Sequence, residues 1–299
     1  MNNLIRGLLA VLLMSLVAIP ACLAASDGSS SYEEQIRQWR QARFDRLADP
    51  DGWMTLVGLE WLEDGENLVG AAESSDARIP GGPESWGTIH VAGDVIRFVP
   101  AAGSATKVDG KTVKEAILVA DNQGQPTVVR NGDISFYVIY RESYALRIKD
   151  RKAPALLAFE GVPVYEIQPD WRTEGRLLRA EEGASIGIAN VLGQTSESPV
   201  YGYFEFEREG ETFSLLALGS EQSQSLWFLF ADKTSGRETY GAGRFLYSEG
   251  MPEDGKLVVD FNKAYNPPCA FNDYSTCPLP PQQNRMKIAV RAGEKKYHD

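Results

Sequence analysis

Short runs rich in Val, Ile, Phe and Tyr, separated by Gly, Asn, Asp and Pro, occupy the chain from Trp53 onward. Alternation of strand-forming and turn-forming segments is typical of antiparallel β-structure. The Asn131-Gly132 pair is the strongest turn signal, because both residues tolerate a positive φ. Further hairpin turns are predicted at Ala92-Gly93-Asp94, Glu142-Ser143 and Glu209-Gly210. No periodic helical stretch longer than about a dozen residues follows, so βαβ units are not expected.

The predicted strands run on without a clear linker or internal repeat. We therefore predict a mainly β fold, with a single β-sandwich or distorted β-barrel over residues 50–299. One N-terminal amphipathic helix is predicted over residues 33–49. Its residues Ile36, Trp39 and Leu47 lie near one stripe at helical spacing, and a proline and a glycine end it.

The first 24 residues have the three-part pattern of a secretory signal peptide. Arg6 precedes an uninterrupted apolar run over residues 7–20, and small residues follow. That run is shorter than the roughly 20 residues of a membrane-spanning helix, so no transmembrane span is predicted. Cleavage after Ala24 would give an exported protein, periplasmic or secreted, with residues 25–32 as a flexible tether. The alternative is a lipid anchor on Cys22, because "IPAC" is a weak match to a bacterial lipobox.

Acidic residues outnumber basic ones, and the formal net charge is −11. Nucleic-acid binding relies on Lys and Arg to neutralise phosphates, so no nucleic-acid partner is expected. The chain has two histidines, His90 and His298. A multi-histidine metal site and a conventional catalytic triad are therefore not expected, and neither a metal nor a cofactor is predicted. The oligomeric state is left open.

Two of the three cysteines, Cys269 and Cys277, lie in one proline-rich stretch, "NPPCAFNDYSTCPLPPQQNR". In an oxidising compartment their short separation can close a disulfide, if the loop folds back on itself. Two alternatives stay open: reduced buried thiols, and a reactive thiol whose pKa is lowered by a nearby arginine.

Polar residues cluster around this stretch and just upstream of it. The candidate ligand-binding residues are Asp232, Tyr240, Arg244, Asp260, Asn262, Tyr265, Asn266, Asn284 and Arg285. Asn and Asp at strand ends also satisfy loop backbone groups, and an arginine paired with a buried carboxylate, such as Arg244 with Asp260, would be structural.

The functional interpretation of the cluster is a pocket for a small polar molecule or a glycan, because amides, carboxylates and aromatic faces suit such ligands. A hydrolase that uses the carboxylates or Cys269 is one alternative. A structural protein of the cell envelope, in which the C-terminal loop is a closed cap, is the other. The sequence alone does not say whether the protein is an enzyme.

Three stretches resemble a bacterial family catalogued as domain of unknown function 1684. They are "DPDGWMTLVGLEWLEDG" (49–65), "FADKTSGRETYGAGRFL" (230–246) and "DFNKAYNPPCAFNDYSTCPLPPQQNRMKIAVRAGEKKY" (260–297). The resemblance implies a mostly β domain and supplies no activity. Not all members of the family are exported, which weakens the disulfide interpretation for Cys269 and Cys277, because cytosolic relatives would keep these thiols reduced.

Overall fold

The computed structural model describes residues 31–298. The predicted signal peptide over residues 1–24, Cys22 and most of the predicted tether lie outside the described residues. Within residues 31–298, no helix has both the length and the apolar character needed to cross a membrane.

Helix α1 spans Tyr32–Leu47 and confirms the predicted N-terminal helix, with slightly different bounds. Glutamates in its first turn and Arg46 in its last turn complement the helix dipole. Its buried residues are Ile36 and Leu47. Leu47 packs in a small apolar cluster with Met54 and Phe271, so the helix is attached to the body of the protein along one face. A one-turn helix, α2, spans Pro154–Leu157.

Ten strands form the N-terminal half of the β-structure. They are β1 (Leu56–Trp61), β2 (Gly65–Gly70), β3 (Ala77–Arg78), β4 (Gly87–Ala92), β5 (Val95–Pro100), β6 (Lys107–Val108), β7 (Ala116–Ile117), β8 (Val129–Asn131), β9 (Ile134–Arg141) and β10 (Ser143–Asp150). They make two five-stranded sheets, with the orders β1-β10-β9-β8-β6 and β3-β2-β4-β5-β7. Both sheets contribute to one core, in which the ring centroids of Phe98 and Phe136 lie 5.9 Å apart. This half is a β-sandwich.

Seven strands form the C-terminal half. They are β11 (Arg172–Arg179), β12 (Ser185–Ala189), β13 (Thr195–Arg208), β14 (Glu211–Leu218), β15 (Trp227–Phe230), β16 (Arg244–Tyr247) and β17 (Lys256–Asp260). Their order is β16-β15-β14-β13-β11-β17, with β12 paired to β13. The sheet curls into a half-barrel around a second core that contains Phe204, Phe228, Phe230 and Phe261. The mainly β fold class is confirmed, and the strands divide between a sandwich and a curled sheet.

The predicted hairpins are confirmed, and one turn is shifted by one residue. Asn131 ends β8 and pairs with Ile134, so Gly132-Asp133 connects β8 to β9 instead of the predicted Asn131-Gly132. Gly93-Asp94 lies between β4 and β5. Glu142, between β9 and β10, has a φ of 63°. Glu209 and Gly210, between β13 and β14, both have positive φ, as a two-residue hairpin turn of this kind requires.

The segment after β17 has little regular structure, and it brings distant parts of the chain together. It contains three 3-10 turns, at Phe261–Lys263, Pro268–Ala270 and Gln282–Asn284. Near its end, Gly293 has a φ of 78° and passes close to the first of these turns. A Cβ at this position would lie 2.4 Å from the carbonyl oxygen of Ala264. Glycine is required here by both the backbone conformation and the close approach.

Candidate functional site

Arg244 and Asp232, two of the predicted ligand-binding residues, form a closed ion pair instead of an open site. The distance from Arg244 Nη2 to Asp232 Oδ2 is 2.8 Å, and neither side chain is exposed to solvent. Arg244 also donates to three backbone carbonyls within residues 290–294. The predicted pairing of Arg244 with Asp260 is wrong. Arg244 lies opposite Phe230 on the neighbouring strand, which places Asp232 within reach of it.

Asp260 and Asn262 fix the start of α1. The hydroxyl of Tyr32 donates to both carboxylate oxygens of Asp260, at 3.1 and 3.0 Å. Asn262 Nδ2 donates to the same hydroxyl at 2.9 Å. Burial, and then the charge of Asp260, raise the pKa of Tyr32, so this hydroxyl stays protonated and continues to donate. Asn262 also lines a small cavity beneath α1.

The other predicted residues divide between backbone contacts and the surface. Asn284 is buried, and its side-chain amide binds backbone groups of both β14 and β15. Asn266 is buried, and its backbone N–H donates to a carboxylate oxygen of Glu294. Tyr240 donates to a backbone carbonyl of the C-terminal segment, and Arg285 is exposed. Tyr265 lines a large cavity between α1 and strands β15 and β16.

Cys269 and Cys277 are free thiols, so the predicted disulfide is not present in the structure. The backbone N–H of each cysteine donates to the sulfur of the other, at 3.1 and 3.2 Å. The hydrogen bond between the two thiols lowers the pKa of Cys269 and raises the pKa of Cys277. The pair therefore matches the alternative of reduced thiols, with Cys269 the more acidic and the less buried of the two.

A cavity of about 940 Å³ lies between α1 and strands β15 and β16, and we call it the aromatic cavity. Six aromatic side chains line it: Trp39, Trp53, Trp227, Phe245, Tyr247 and Tyr265. Trp227 and Tyr247 are directly opposite each other on paired antiparallel strands. Antiparallel pairing therefore places these two rings side by side on one face of the sheet.

Three of these rings form a row with nearly parallel planes, in which the ring centroids of neighbours lie 6.3 and 6.4 Å apart. The planes of Trp227 and Tyr247 differ by 18°, and those of Tyr247 and Tyr265 by 14°. Burial raises the pKa of both tyrosines, and the hydroxyl of Tyr265 is hydrogen bonded to that of Tyr247, which leaves the Tyr247 hydroxyl as a donor. The row lines part of the aromatic cavity and carries the two tyrosine hydroxyls.

Charged side chains surround this row. Lys263 Nζ lies 2.6 Å from Glu249, which also pairs with Arg172. Arg43 of α1 stacks on Tyr265, with 4.8 Å between the guanidinium carbon and the ring centroid. The aromatic cavity thus combines flat rings with a few fixed polar groups, a combination common in sites for small ligands.

A second cavity, of about 560 Å³, adjoins the aromatic cavity, and we call it the basic cavity. Asp51 and Trp53 line both cavities. The cationic side chains that line the basic cavity are Arg130, Arg141, Arg147 and Lys149, and the carboxylates are Asp51 and Asp121.

Most residues of these two cavities were not among the sequence-based candidates. Trp53 is part of a stretch that carries the family resemblance, but Trp227 and Tyr247 stand in ordinary strand patterns. The pairing of β15 with β16 could have identified Trp227 and Tyr247, because two aromatic residues at opposing positions of paired antiparallel strands share one face. Arg147 stands in a strand as well, between two apolar residues.

Residues 157–295 match the profile of a family described as protein of unknown function (DUF1684). An uncharacterised protein of Haloarcula marismortui, solved by NMR, is 32% identical over 46% of this chain and 77% of its own, with a TM-score of 0.39. The FhaA FHA domain, solved in complex with the intracellular domain of Rv3910, is 18% identical over 30% of this chain and 97% of its own, with a TM-score of 0.22. No curated protein matches the chain.

Proposed function

The chain belongs, through residues 157–295, to the family described as protein of unknown function (DUF1684), and from this premise we propose that it binds a small polar ligand of the glycan class in the aromatic cavity. The family supplies no activity, so the proposal rests on the site. The observation that carries it is the row of nearly parallel rings formed by Trp227, Tyr247 and Tyr265 at the aromatic cavity.

Aromatic side chains suit the apolar face of a sugar ring, where axial C–H groups pack against the aromatic ring while the sugar hydroxyls project from the edge. Hydroxyl groups at the ring edge require fixed hydrogen-bond partners. Lys263, Glu249 and the tyrosine hydroxyls supply both donors and acceptors at the border of the row. The proposal keeps the ligand class inferred from the sequence and moves the site from the closed polar cluster to the neighbouring cavity.

The test is a titration of mono- and oligosaccharides, followed by calorimetry and by the fluorescence of the cavity tryptophans. Tyr247→Ala removes the central ring of the row, and we expect it to weaken binding about fivefold, the effect of losing roughly 1 kcal/mol of aromatic contact. Tyr203→Ala is the matched control, since Tyr203 is also a half-exposed strand tyrosine and lines neither cavity. Equal affinity of the two variants, or no saccharide bound by the wild type, would refute the proposal.

A hydrolase is the second candidate, and the lowered pKa of Cys269 is the observation that favours it. The carboxylates offer less support, because Asp232 and Asp260 are buried and hydrogen bonded to neighbouring side chains. Loss of ester or glycoside hydrolysis in Cys269→Ser, with unchanged folding, would favour the hydrolase. A structural envelope protein is the third candidate, supported by the closed hydrogen-bond network around Asn284 and Arg244.

We also propose that the protein is exported, periplasmic or secreted, on the strength of the signal-peptide pattern in residues 1–24. Intact mass of the protein recovered from an expressing bacterium tests this. A mass that corresponds to cleavage after Ala24 would support soluble export, and a diacylglyceryl addition on Cys22 would support the lipid-anchored alternative. A full-length mass in the cytosolic fraction would contradict both.

A further inference from the structure

Arg147 is a buried arginine without a carboxylate partner. It lies on β10, is 3% exposed and lines the basic cavity. Its guanidinium donates to two neutral acceptors, the hydroxyls of Tyr137 at 3.3 Å and Thr276 at 3.2 Å, and its Nε has no partner within residues 31–298. A buried charge without a counter-charge is costly, and proteins normally pair it.

The carboxylates of the basic cavity are already engaged by other cations. Asp51 accepts from Arg130 and Arg151, each at 2.5 Å. Asp121 accepts from Arg141, with contacts of 2.9 and 3.1 Å. Neither carboxylate is left to neutralise Arg147.

Lys149 is the second cation without a carboxylate partner. Its Nζ donates to the backbone carbonyl of Asp51, and burial lowers its pKa. Trp53 and Tyr137 lie beside the guanidinium of Arg147, with ring centroids 5.2 and 5.8 Å from its central carbon. Their faces attract a cation but carry no net charge. Four cationic side chains and two carboxylates line the cavity, which leaves two positive charges without a counter-charge.

We propose that the basic cavity is a binding site for a phosphate monoester, whose two negative charges match those of Arg147 and Lys149. A phosphate monoester is mostly dianionic at neutral pH, and guanidinium groups bind its oxygens through short, charge-assisted hydrogen bonds. The cavity lining has an excess of positive charge, although the formal net charge of the chain is −11. Because Asp51 and Trp53 line both cavities, a phosphoryl group in the basic cavity directs the rest of its ligand toward the aromatic row. The ligand is then a phosphorylated sugar, an extension that rests on the proposed function.

The first test uses inorganic phosphate, titrated calorimetrically at an ionic strength held constant with sodium chloride. We expect saturable binding that Lys149→Met weakens at least tenfold, because a charge-assisted contact is lost. Lys152→Met is the matched control, since it removes the same charge three residues further along the chain, after the end of β10. The side chain of Lys152 is 73% exposed and pairs with Asp133, which does not line the cavity. Equal affinities of these two variants, or no phosphate binding by the wild type, would overturn the proposal.

Arg147→Met gives an independent reading of the same site, provided that its circular dichroism matches the wild type. It is expected to weaken phosphate binding at least tenfold as well, and undiminished binding by this folded variant would count against the proposal.

The second test separates the anion site from the proposed function. A sugar phosphate, the free sugar and inorganic phosphate are titrated into the wild type and Tyr247→Ala. Tighter binding of the sugar phosphate than of either component, weakened by Tyr247→Ala while inorganic phosphate binding is unchanged, would support both proposals. If the sugar adds nothing to phosphate binding, the anion site stands and the proposed function fails. If the free sugar binds and phosphate does not, the proposed function stands and the anion site is refuted.

Discussion

Two buried arginines in this protein lie in opposite electrostatic surroundings. Arg244 has a carboxylate partner, Asp232, and three backbone carbonyls as acceptors. Arg147 contacts two hydroxyls and two aromatic rings but no carboxylate of the described residues. Arg244 is fully enclosed by the chain, whereas Arg147 borders a cavity. A buried arginine whose counter-charge is supplied by its own fold is structural, and one that lacks a counter-charge beside a cavity is a candidate for binding an external anion.

The largest expected effect is on stability, in Arg244→Met. This substitution leaves Asp232 as a buried carboxylate without its counter-charge, which costs about 3–5 kcal/mol in comparable pairs. Urea denaturation at pH 7 measures the loss. The double variant Asp232→Asn with Arg244→Met is the control, and it should recover part of the loss because the unpaired carboxylate is gone. If Arg244→Met changed the free energy of unfolding by only a few tenths of a kcal/mol, Arg244 would not have the structural role that distinguishes it from Arg147.

The next effect is expected from Gly293→Ala, which acts on the acceptors of Arg244. Gly293 has a φ of 78° and lies among the carbonyls that bind the guanidinium. An added Cβ would meet the carbonyl oxygen of Ala264 at 2.4 Å, so the segment has to shift. We expect a loss of about 2 kcal/mol or more in the free energy of unfolding, measured in urea. Gly250→Ala is the control, because Gly250 also has a positive φ but open space around its Cβ position.

A smaller effect is expected from Asp51→Asn, at the border of the basic cavity. Hydrogen bonds from Arg151, and then from Arg130, lower the pKa of Asp51 to about 2. Its stabilising contribution is therefore present above its ordinary pKa and is lost as the pH falls toward 2. The carboxylate is 43% exposed, so solvent screening reduces the contribution to about 1 kcal/mol.

Urea denaturation of wild type and Asp51→Asn at several pH values tests this. The difference in unfolding free energy should be about 1 kcal/mol at pH 7 and should fall as the pH drops from about 4 through 2. A difference that is independent of pH would show that Asp51 does not stabilise through its charge.

The smallest stability effect is expected from Arg147→Met. No carboxylate loses its partner, and the remaining contacts are with hydroxyls and rings, so the free energy of unfolding should stay within about 1 kcal/mol of the wild type. Thermal and urea denaturation in phosphate-free buffer measure it. A loss as large as that of Arg244→Met would show that both arginines are structural.

Features that depend on neighbouring residues were predictable from the sequence. Gly132 and the Glu209-Gly210 pair specify their turns locally, through residues that accept a positive φ, and the apolar spacing of α1 indicates a helix at its position. The choice between Asp232 and Asp260 as the partner of Arg244 depends on strand pairing and loop paths, which local patterns do not contain.

The site residues were harder to predict because their environment comes from distant segments. Arg147 alternates with Leu146 and Ile148, which suggests a solvent-facing position. Five consecutive residues of β10, including these, are buried in the structure. Thr276, 129 positions later in the chain, accepts a hydrogen bond from Arg147 and lies over this side of the strand. Coverage by the C-terminal segment therefore changes the environment of a residue that its own strand pattern would place in water.

The attachment of α1 has a consequence for the order of assembly during synthesis. Tyr32 is bound to Asp260, 228 positions later, and Arg43 to Glu294, 251 positions later. The ribosome makes α1 before any other described element, and its partners leave the ribosome last. The sandwich half can pair its strands in the meantime, since its sheets need no residue beyond Asp150. The wall that α1 gives to the aromatic cavity, by contrast, is completed after translation of the C-terminal segment, so ligand competence should be among the last properties that the nascent chain acquires.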